Sequence, residues 1–474
     1  MVVGVLTTGT EVLVLGGGPA GYTAAIRAAQ LGREVTLVER EEVGGLCLHA
    51  GCIPTKTLLA AGSSWSGLSE LEQMGIEIGS PRLHLERVQA WKADVVSQLT
   101  TGVEKLLKAN GVQRVRGDAV FLSAHEVKVV SEYGRETYQF EYCVIATGAH
   151  EVEEVNFPAD GERLLTVSQA LSLADLPPSL CVVGDTYEAV ELAAIYKKLG
   201  AQVTLLTRNS VLLPEFDPSL VRVLQREFKR SGLSLVTNLT DVVVQLQEGT
   251  VLLRYNENGK EGERRAARAV FAPRRVPAVR SLDLSAAGVE LTEQGFIRVD
   301  EQQRTSVPHI FAAGDVTGGY MLAHAGMAQG KVAAEVIAGR PSASEPYAVP
   351  RVLFTDPELA SAGLTEAEAK ERGWKTVTGR FPFSASGRAL SLRRAEGFVL
   401  VVADQESRRL LGVHMVGPDC TQLIGEAVLA LEMGATLDDL ALTMHPHPTL
   451  SEGLMEAAEA AMGLGIHVAP GLSR

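Results

Sequence analysis

A short apolar run at residues 11–15 leads directly into Gly16-Gly17-Gly18-Pro19-Ala20-Gly21. An alanine-rich stretch of helical character follows to Leu31, then a second apolar run at 34–38 that ends on Glu39. Glycines at 16, 18 and 21 give the G-x-G-x-x-G spacing of a dinucleotide-binding βαβ unit. Each has its own physical task. Gly16 lets the chain turn tightly out of the strand, Gly18 leaves room for a pyrophosphate to settle on the backbone, and Gly21 lets helix and strand pack closely. The helix N-terminus offers unpaired N–H groups and the positive end of its dipole. Glu39, at the end of the next strand, suits the ribose hydroxyls. Few folds accommodate this pattern, and it predicts a doubly wound α/β unit around a dinucleotide.

The layout recurs. Residues 180–183 form another apolar run, Gly184 follows, and a helical pattern over 187–199 leads to a further run at 202–206. Two such units predict two dinucleotide sites, and a length of 474 residues leaves room for another domain. A third glycine-punctuated strand at 310–313 ends on Gly314 and Asp315 and precedes a helix near 327–337. From about Tyr347 the chain alternates strands, such as 397–403 and 410–416, with helices at 421–433 and 451–462, the pattern of an α+β domain.

The formal net charge of −13 opposes capture by nucleic acid or by an anionic membrane surface. No apolar run reaches the ~18–20 residues that span a bilayer. Five cysteines, an odd count in a long chain, favour an intracellular compartment. Met1, Val2, Val3 and Gly4 carry no basic region ahead of an apolar stretch, so no signal peptide is read. A soluble, cytoplasmic protein with no nucleic-acid partner and no membrane insertion is expected.

Cys47 and Cys52 stand with four residues between them at the start of a helical stretch. By spacing alone they suit a strained redox-active disulfide or, less well, half of a zinc site whose second Cys/His pair is not nearby. Gly44-Gly45 stands in front of them and Ile53-Pro54-Thr55-Lys56 behind. That segment resembles the active-site segment of the FAD-dependent pyridine nucleotide-disulfide oxidoreductases, and the chain as a whole is most similar to the dihydrolipoamide dehydrogenases among them. Thr147-Gly148 resembles the family's return loop from the FAD domain, Phe311 to Asp315 its second FAD motif, and His445-Pro446-His447-Pro448-Thr449-Leu450-Ser451-Glu452 its catalytic base segment.

The resemblance implies two Rossmann-like dinucleotide-binding domains and a C-terminal α+β dimerisation domain. The expected divisions are an FAD-binding part at 1–150, an NAD(P)-binding-like domain at 151–275, a second FAD/central part at 276–346 and the dimerisation domain at 347–474. It also implies roles. Cys47 is the interchange thiol that attacks substrate and Cys52 the charge-transfer thiol facing the flavin. His447, oriented by Glu452, is the base, supplied from the other subunit of a homodimer. Lys56 pairs with Glu191 near the flavin. FAD contacts are expected from Gly16, Gly18, Pro19, Ala20, Gly21, Glu39 and Arg40, from Gly45, Cys47, Lys56, Thr147 and Gly148, and from Gly314, Asp315, Met321, Leu322, Ala323 and His324. No metal is implied. The implied reaction is oxidation of dihydrolipoyl groups on a partner protein, with NAD as nominal acceptor. His49 and His445 read as surface and hydrogen-bonded histidines, and Cys143, Cys181 and Cys420 as packing residues.

The second nucleotide motif departs from the pattern. It reads Gly184-Asp185-Thr186-Tyr187-Glu188-Ala189, with β-branched Thr186 where a pyrophosphate should approach. Asp185 and Glu188 add negative charge there, each opposing binding by about 1 kcal/mol at a screened surface. Thr207-Arg208 stands where an NAD-preferring member carries an acid, and Pro273-Arg274-Arg275-Val276-Pro277 replaces a further family segment. NAD or NADP use is therefore expected to be lost or altered, while the dithiol half-reaction is expected to be kept. The alternatives are an NADPH-linked reductase of a small disulfide, a flavoprotein with a non-nicotinamide electron partner, and, from another class, a non-catalytic flavoprotein assembly subunit.

Overall fold

Val12, Leu13, Val14, Val35, Leu37 and Val38 are all buried, as strands covered by helices on both faces require. In the computed structural model, which describes residues 7–152, 157–247 and 249–469, these residues belong to Thr7–Leu15 and Val35–Glu39, which pair in parallel. The N-terminal residues on which the absence of a signal peptide was read lie outside the described residues.

Thr7–Leu15 also pairs in parallel with Gly134–Ile145, whose other neighbours are the antiparallel strand Glu126–Ser131 and the parallel strand Ile310–Ala312. Among the described residues this sheet has seven strands. Its last member arrives from beyond the whole second unit. The helix that follows, Ala323–Ile337, lies on the first nucleotide helix, Pro19–Gln30. Gly330 permits the contact, because a Cβ there would overlap the Ala20 carbonyl. The helix begins a turn earlier than the pattern at 327–337 suggests, since Ala323 to Gly326 are too small and permissive to show an apolar stripe.

The second unit is a parallel sheet in the order Ser234–Val236, Gln202–Leu206, Ser179–Gly184, Arg268–Ala272, Leu164–Thr166. Gly184 stands in register with Ala272. Tyr187–Leu199 packs here with Ala189, Val190, Ile195 and Leu199 buried, and its other side meets the helix Cys52–Leu71. A two-stranded ribbon, Ala149–Glu151 with Arg275–Pro277, runs between the two nucleotide units.

The C-terminal unit is an antiparallel sheet, Arg351–Leu353, Glu358–Gly363, Leu410–Gly417, Phe398–Asp404 and Thr376–Pro382, backed by Glu452–Ala461 and Cys420–Glu432. The molecule is thus α/β, two doubly wound units followed by an α+β unit. Among the described residues no helix is long and apolar enough to cross a membrane.

Candidate functional site

The three glycines of the first motif are glycines for different reasons. Gly16 has φ +102°, a left-handed conformation that side chains rarely adopt, and a Cβ on Gly21 would overlap the Gly16 carbonyl. Both are required by the fold alone. Gly18 is not: its φ is −69°, and a Cβ there would meet nothing closer than Gly45 Cα at 3.8 Å. No side chain caps the helix that Gly18 opens, so its first N–H groups are free for a ligand. Thr147 adds a second sign, a buried hydroxyl with no hydrogen-bond partner among the described residues. An open cradle and an orphaned donor fit the pyrophosphate and sugar of a bound dinucleotide.

Around the cradle, Glu39 Oε2 accepts from Gly17 N at 2.6 Å and Oε1 from Glu41 N at 3.0 Å, which holds the carboxylate at the strand end. Arg40 lies beside Asp118 at the surface. Gly148 has φ +72° and Gly314 φ +82°, and Gly314 N donates to Gln329 Oε1 at 2.8 Å. Burial raises the Asp315 carboxyl above its ordinary range, with Arg275 pulling the other way. Met321 takes φ +50°, uncommon for a bulky residue, just before Leu322 caps the Ala323–Ile337 helix. His324 Nε2 contacts Pro350 O at 2.9 Å.

Gly44 and Gly45, at φ +115° and +58°, fold the next loop onto this motif, so close that a Cβ on Gly45 would lie 2.7 Å from Gly18 Cα. Cys47 sits in the short helix Gly45–His49, and Cys52 opens the helix Cys52–Leu71 behind Gly51. The two thiols hydrogen-bond to one another. The bond from Cys47, opposed by burial and aided by Lys56, brings the Cys52 thiol down to about 7. The same bond and burial push the Cys47 thiol up. Charge in the reduced pair therefore resides on Cys52, at a helix N-terminus. Among the described residues no metal-holding cluster of His, Cys, Asp and Glu includes the pair.

Lys56 Nζ lies 2.7 Å from Glu191 Oε2, and Glu191 is 3% exposed. Glu191 Oε1 accepts from Phe354 N at 2.9 Å, while the Phe354 ring lies 4.6 Å from the ammonium. Tyr22, on the first nucleotide helix, has its phenol raised by burial and then by the charge of both thiols. Phe354, Tyr22 and Gln329 escaped the sequence reading. Phe354 contributes a backbone N–H and a ring face, Tyr22 a phenol and Gln329 a side-chain amide, none of which has a local signature.

His447 Nδ1 lies 2.7 Å from Glu452 Oε1, and Glu452 Oε2 accepts from Thr449 N at 2.7 Å. Burial pushes the Glu452 carboxyl up, but the Thr449 N–H and His447 outweigh it and hold it low. The His447 side chain is 80% exposed. The groups that shift the thiols are each other, Lys56 and Glu191, and both thiols in turn raise Tyr22. His445 is bonded at both nitrogens, to Thr443 O and Glu426 Oε1, and exposed His49 reaches Val43 O. Cys143, Cys181 and Cys420 are buried, and burial raises all three thiols.

The second motif corrects one expectation. Asp185 and Glu188 are not bare charges awaiting a pyrophosphate. Asp185 accepts from the Thr207 hydroxyl and from Asn209 N at 3.4 Å, and Glu188 Oε1 lies 2.5 Å from Arg275 Nη2. Thr186 Oγ1 caps its own helix by accepting from Ala189 N at 3.3 Å. Gly184 is fixed by packing, since a Cβ there would overlap the Ala272 carbonyl.

Two nucleotide units clasping a thiol pair, one thiol of it poised to ionise, define a flavin-linked dithiol–disulfide oxidoreductase. The chain belongs to the pyridine nucleotide-disulphide oxidoreductases, whose family model matches residues 10–330 and whose dimerisation-domain model matches 349–458. It is an oxidoreductase, and its cofactor is FAD, with NAD the usual partner in its family. A dihydrolipoyl dehydrogenase of Geobacillus stearothermophilus is 43% identical over 468 residues, covering 99% of each chain. Among solved structures, LpdA from Mycobacterium tuberculosis superposes with a TM-score of 0.89 at 28% identity, covering 95% of this chain and 99% of the other. The HOCl-induced flavoprotein disulfide reductase RclA from Escherichia coli gives 0.84 at 25% identity over the same shares.

Proposed function

We propose that the protein oxidises dihydrolipoyl groups carried on a partner protein, through the Cys47–Cys52 pair and FAD, with NAD as the acceptor, and that it works as a homodimer in the cytoplasm. The observation that carries this reading is the placement of the pair: Cys47 and Cys52 hydrogen-bond to one another, Cys52 opens a helix, and Lys56, held at 2.7 Å by buried Glu191, stands one turn on.

From the oxidised pair, a substrate thiolate attacks Cys47 Sγ, the Cys47–Cys52 bond breaks, and Cys52 leaves as the thiolate that Lys56 and the helix N-terminus favour. The substrate's second thiol loses its proton to His447 Nε2 of the partner subunit, then attacks the substrate sulfur of the mixed disulfide. That closes the lipoyl disulfide and releases Cys47. Substrate is oxidised by two electrons and the protein is left as a dithiol. Bound flavin supplies the route by which that electron pair leaves as hydride. Glu452 holds Nδ1 of His447 and so leaves Nε2 as the proton acceptor.

The homodimer is supported by the dimerisation-domain match and by an apolar face on the C-terminal unit. Leu429, Met433, Leu442, Met444, Leu464 and Ile466 are all exposed there, on the same unit as the largely exposed His447. The net charge of −13 and the odd cysteine count support the cytoplasm. Anaerobic titration of the yellow protein with dihydrolipoamide is the test. The expected result is prompt bleaching of the flavin band in the wild type and none in Cys47→Ser; bleaching that survives Cys47→Ser would sink the reading.

A further inference from the structure

We propose that the Glu188–Arg275 ion pair bars the passage between the second nucleotide unit and the flavin unit, and that Glu188 is the residue that sets how readily a pyridine dinucleotide is admitted. This rests on the reading of the second unit as the electron-acceptor site.

The two nucleotide helices begin differently. Pro19–Gln30 starts uncapped behind Gly18 and offers its N–H groups outward. Tyr187–Leu199 starts behind Thr186, whose hydroxyl oxygen occupies the Ala189 N–H. The turn before it is tied down by Asp185 against Thr207 and Asn209. A pyrophosphate arriving here finds part of the donor set in use.

Glu188 stands in the first turn of that helix, and Arg275 follows the end of Arg268–Ala272, the strand in register with Gly184. Both therefore lie at the carboxyl edge of the parallel sheet, where ligands of such sheets bind. Arg275 also reaches across to the flavin unit, with Nη1 3.8 Å from Asp315 Oδ2, and pairs in register with Glu151 on the connecting ribbon. The Arg275 side chain is only 17% exposed. Three carboxylates thus surround one guanidinium between the second cleft and the second flavin motif. A dinucleotide approaching the flavin adds its own anionic pyrophosphate to this cluster and has to displace the pair to pass. Removing the carboxylate frees a cation for the ligand, whereas removing the guanidinium leaves the carboxylates uncompensated.

The charge logic gives opposite signs for the two truncations. NAD⁺ binding to the purified oxidised flavoprotein, which it cannot reduce, followed by equilibrium dialysis, is expected to tighten by about tenfold or more in Glu188→Ala, with the gain in the same direction in Glu188→Gln. In Arg275→Ala it is expected to stay at the wild-type value or weaken. Flavin content and thermal melting show that each variant is folded, and Glu188→Gln serves if the alanine variant is not. An affinity within twofold of wild type in both Glu188 variants would overturn the proposal, as would an equal gain in Arg275→Ala, which would make the barrier one of bulk and not of the carboxylate. Failure of the wild type to react with dihydrolipoamide would remove the lipoyl reading and leave these affinities to judge the gate.

Discussion

Cys52 ionises in the middle of the physiological range because three neighbours act on one sulfur. Cys47 donates to it and Lys56 stabilises its charge, while Glu191 opposes. The reduced protein should therefore show thiolate ultraviolet absorbance that is present above a midpoint of about 7 and lost below it. Lys56→Met should move that midpoint up and Glu191→Gln should move it down; a midpoint indifferent to both would show that the pair is not tuned from its flank. Lys56→Met also leaves a buried carboxylate with only the Phe354 N–H, at a cost of about 3 kcal/mol in stability, measurable by chemical denaturation. Cys47, Cys52, Lys56 and Glu191 could be named from the sequence because the motif around the thiols is dense in special residues. Phe354 could not, since a phenylalanine in an apolar segment has no mark that distinguishes a ring beside an ammonium from a ring in the core.

At the scale of the element, the first nucleotide helix separates glycine for folding from glycine for binding. Gly21→Ala forces a Cβ into the Gly16 carbonyl and should abolish soluble folded protein. Gly18→Ala meets ordinary space and ordinary backbone, so the apoprotein should melt as the wild type does while flavin retention falls sharply. Flavin absorbance per chain together with thermal melting decides it. The glycine spacing was legible because steric demands act within a few residues. The fate of Glu188 was not, because its partner lies 87 residues away and only the fold brings Arg275 to it. Read locally, Asp185 and Glu188 were two uncompensated anions; in the folded chain each is engaged by a neighbour of a different strand or turn.

Across the whole molecule, one chain carries both halves of the proposed site, the thiols on its first unit and the His447–Glu452 pair on its last. His447 points to solvent while the thiols lie between the two nucleotide units. If the base comes from a second copy, mixing inactive Cys47→Ser with inactive His447→Gln should restore about a quarter of wild-type turnover, since half of the dimers then hold one complete site of two. Persistent inactivity in dimers shown by mass spectrometry to be mixed would place the base within the chain.

The sheet that begins at Thr7 is finished by Ile310–Ala312, and the helix after it leans on Pro19–Gln30. A chain leaving the ribosome must therefore complete the entire second unit before its first unit can close on a flavin. The pocket for the vitamin-derived cofactor is thus built from both ends of a long stretch of chain, and its full set of walls exists only late in synthesis.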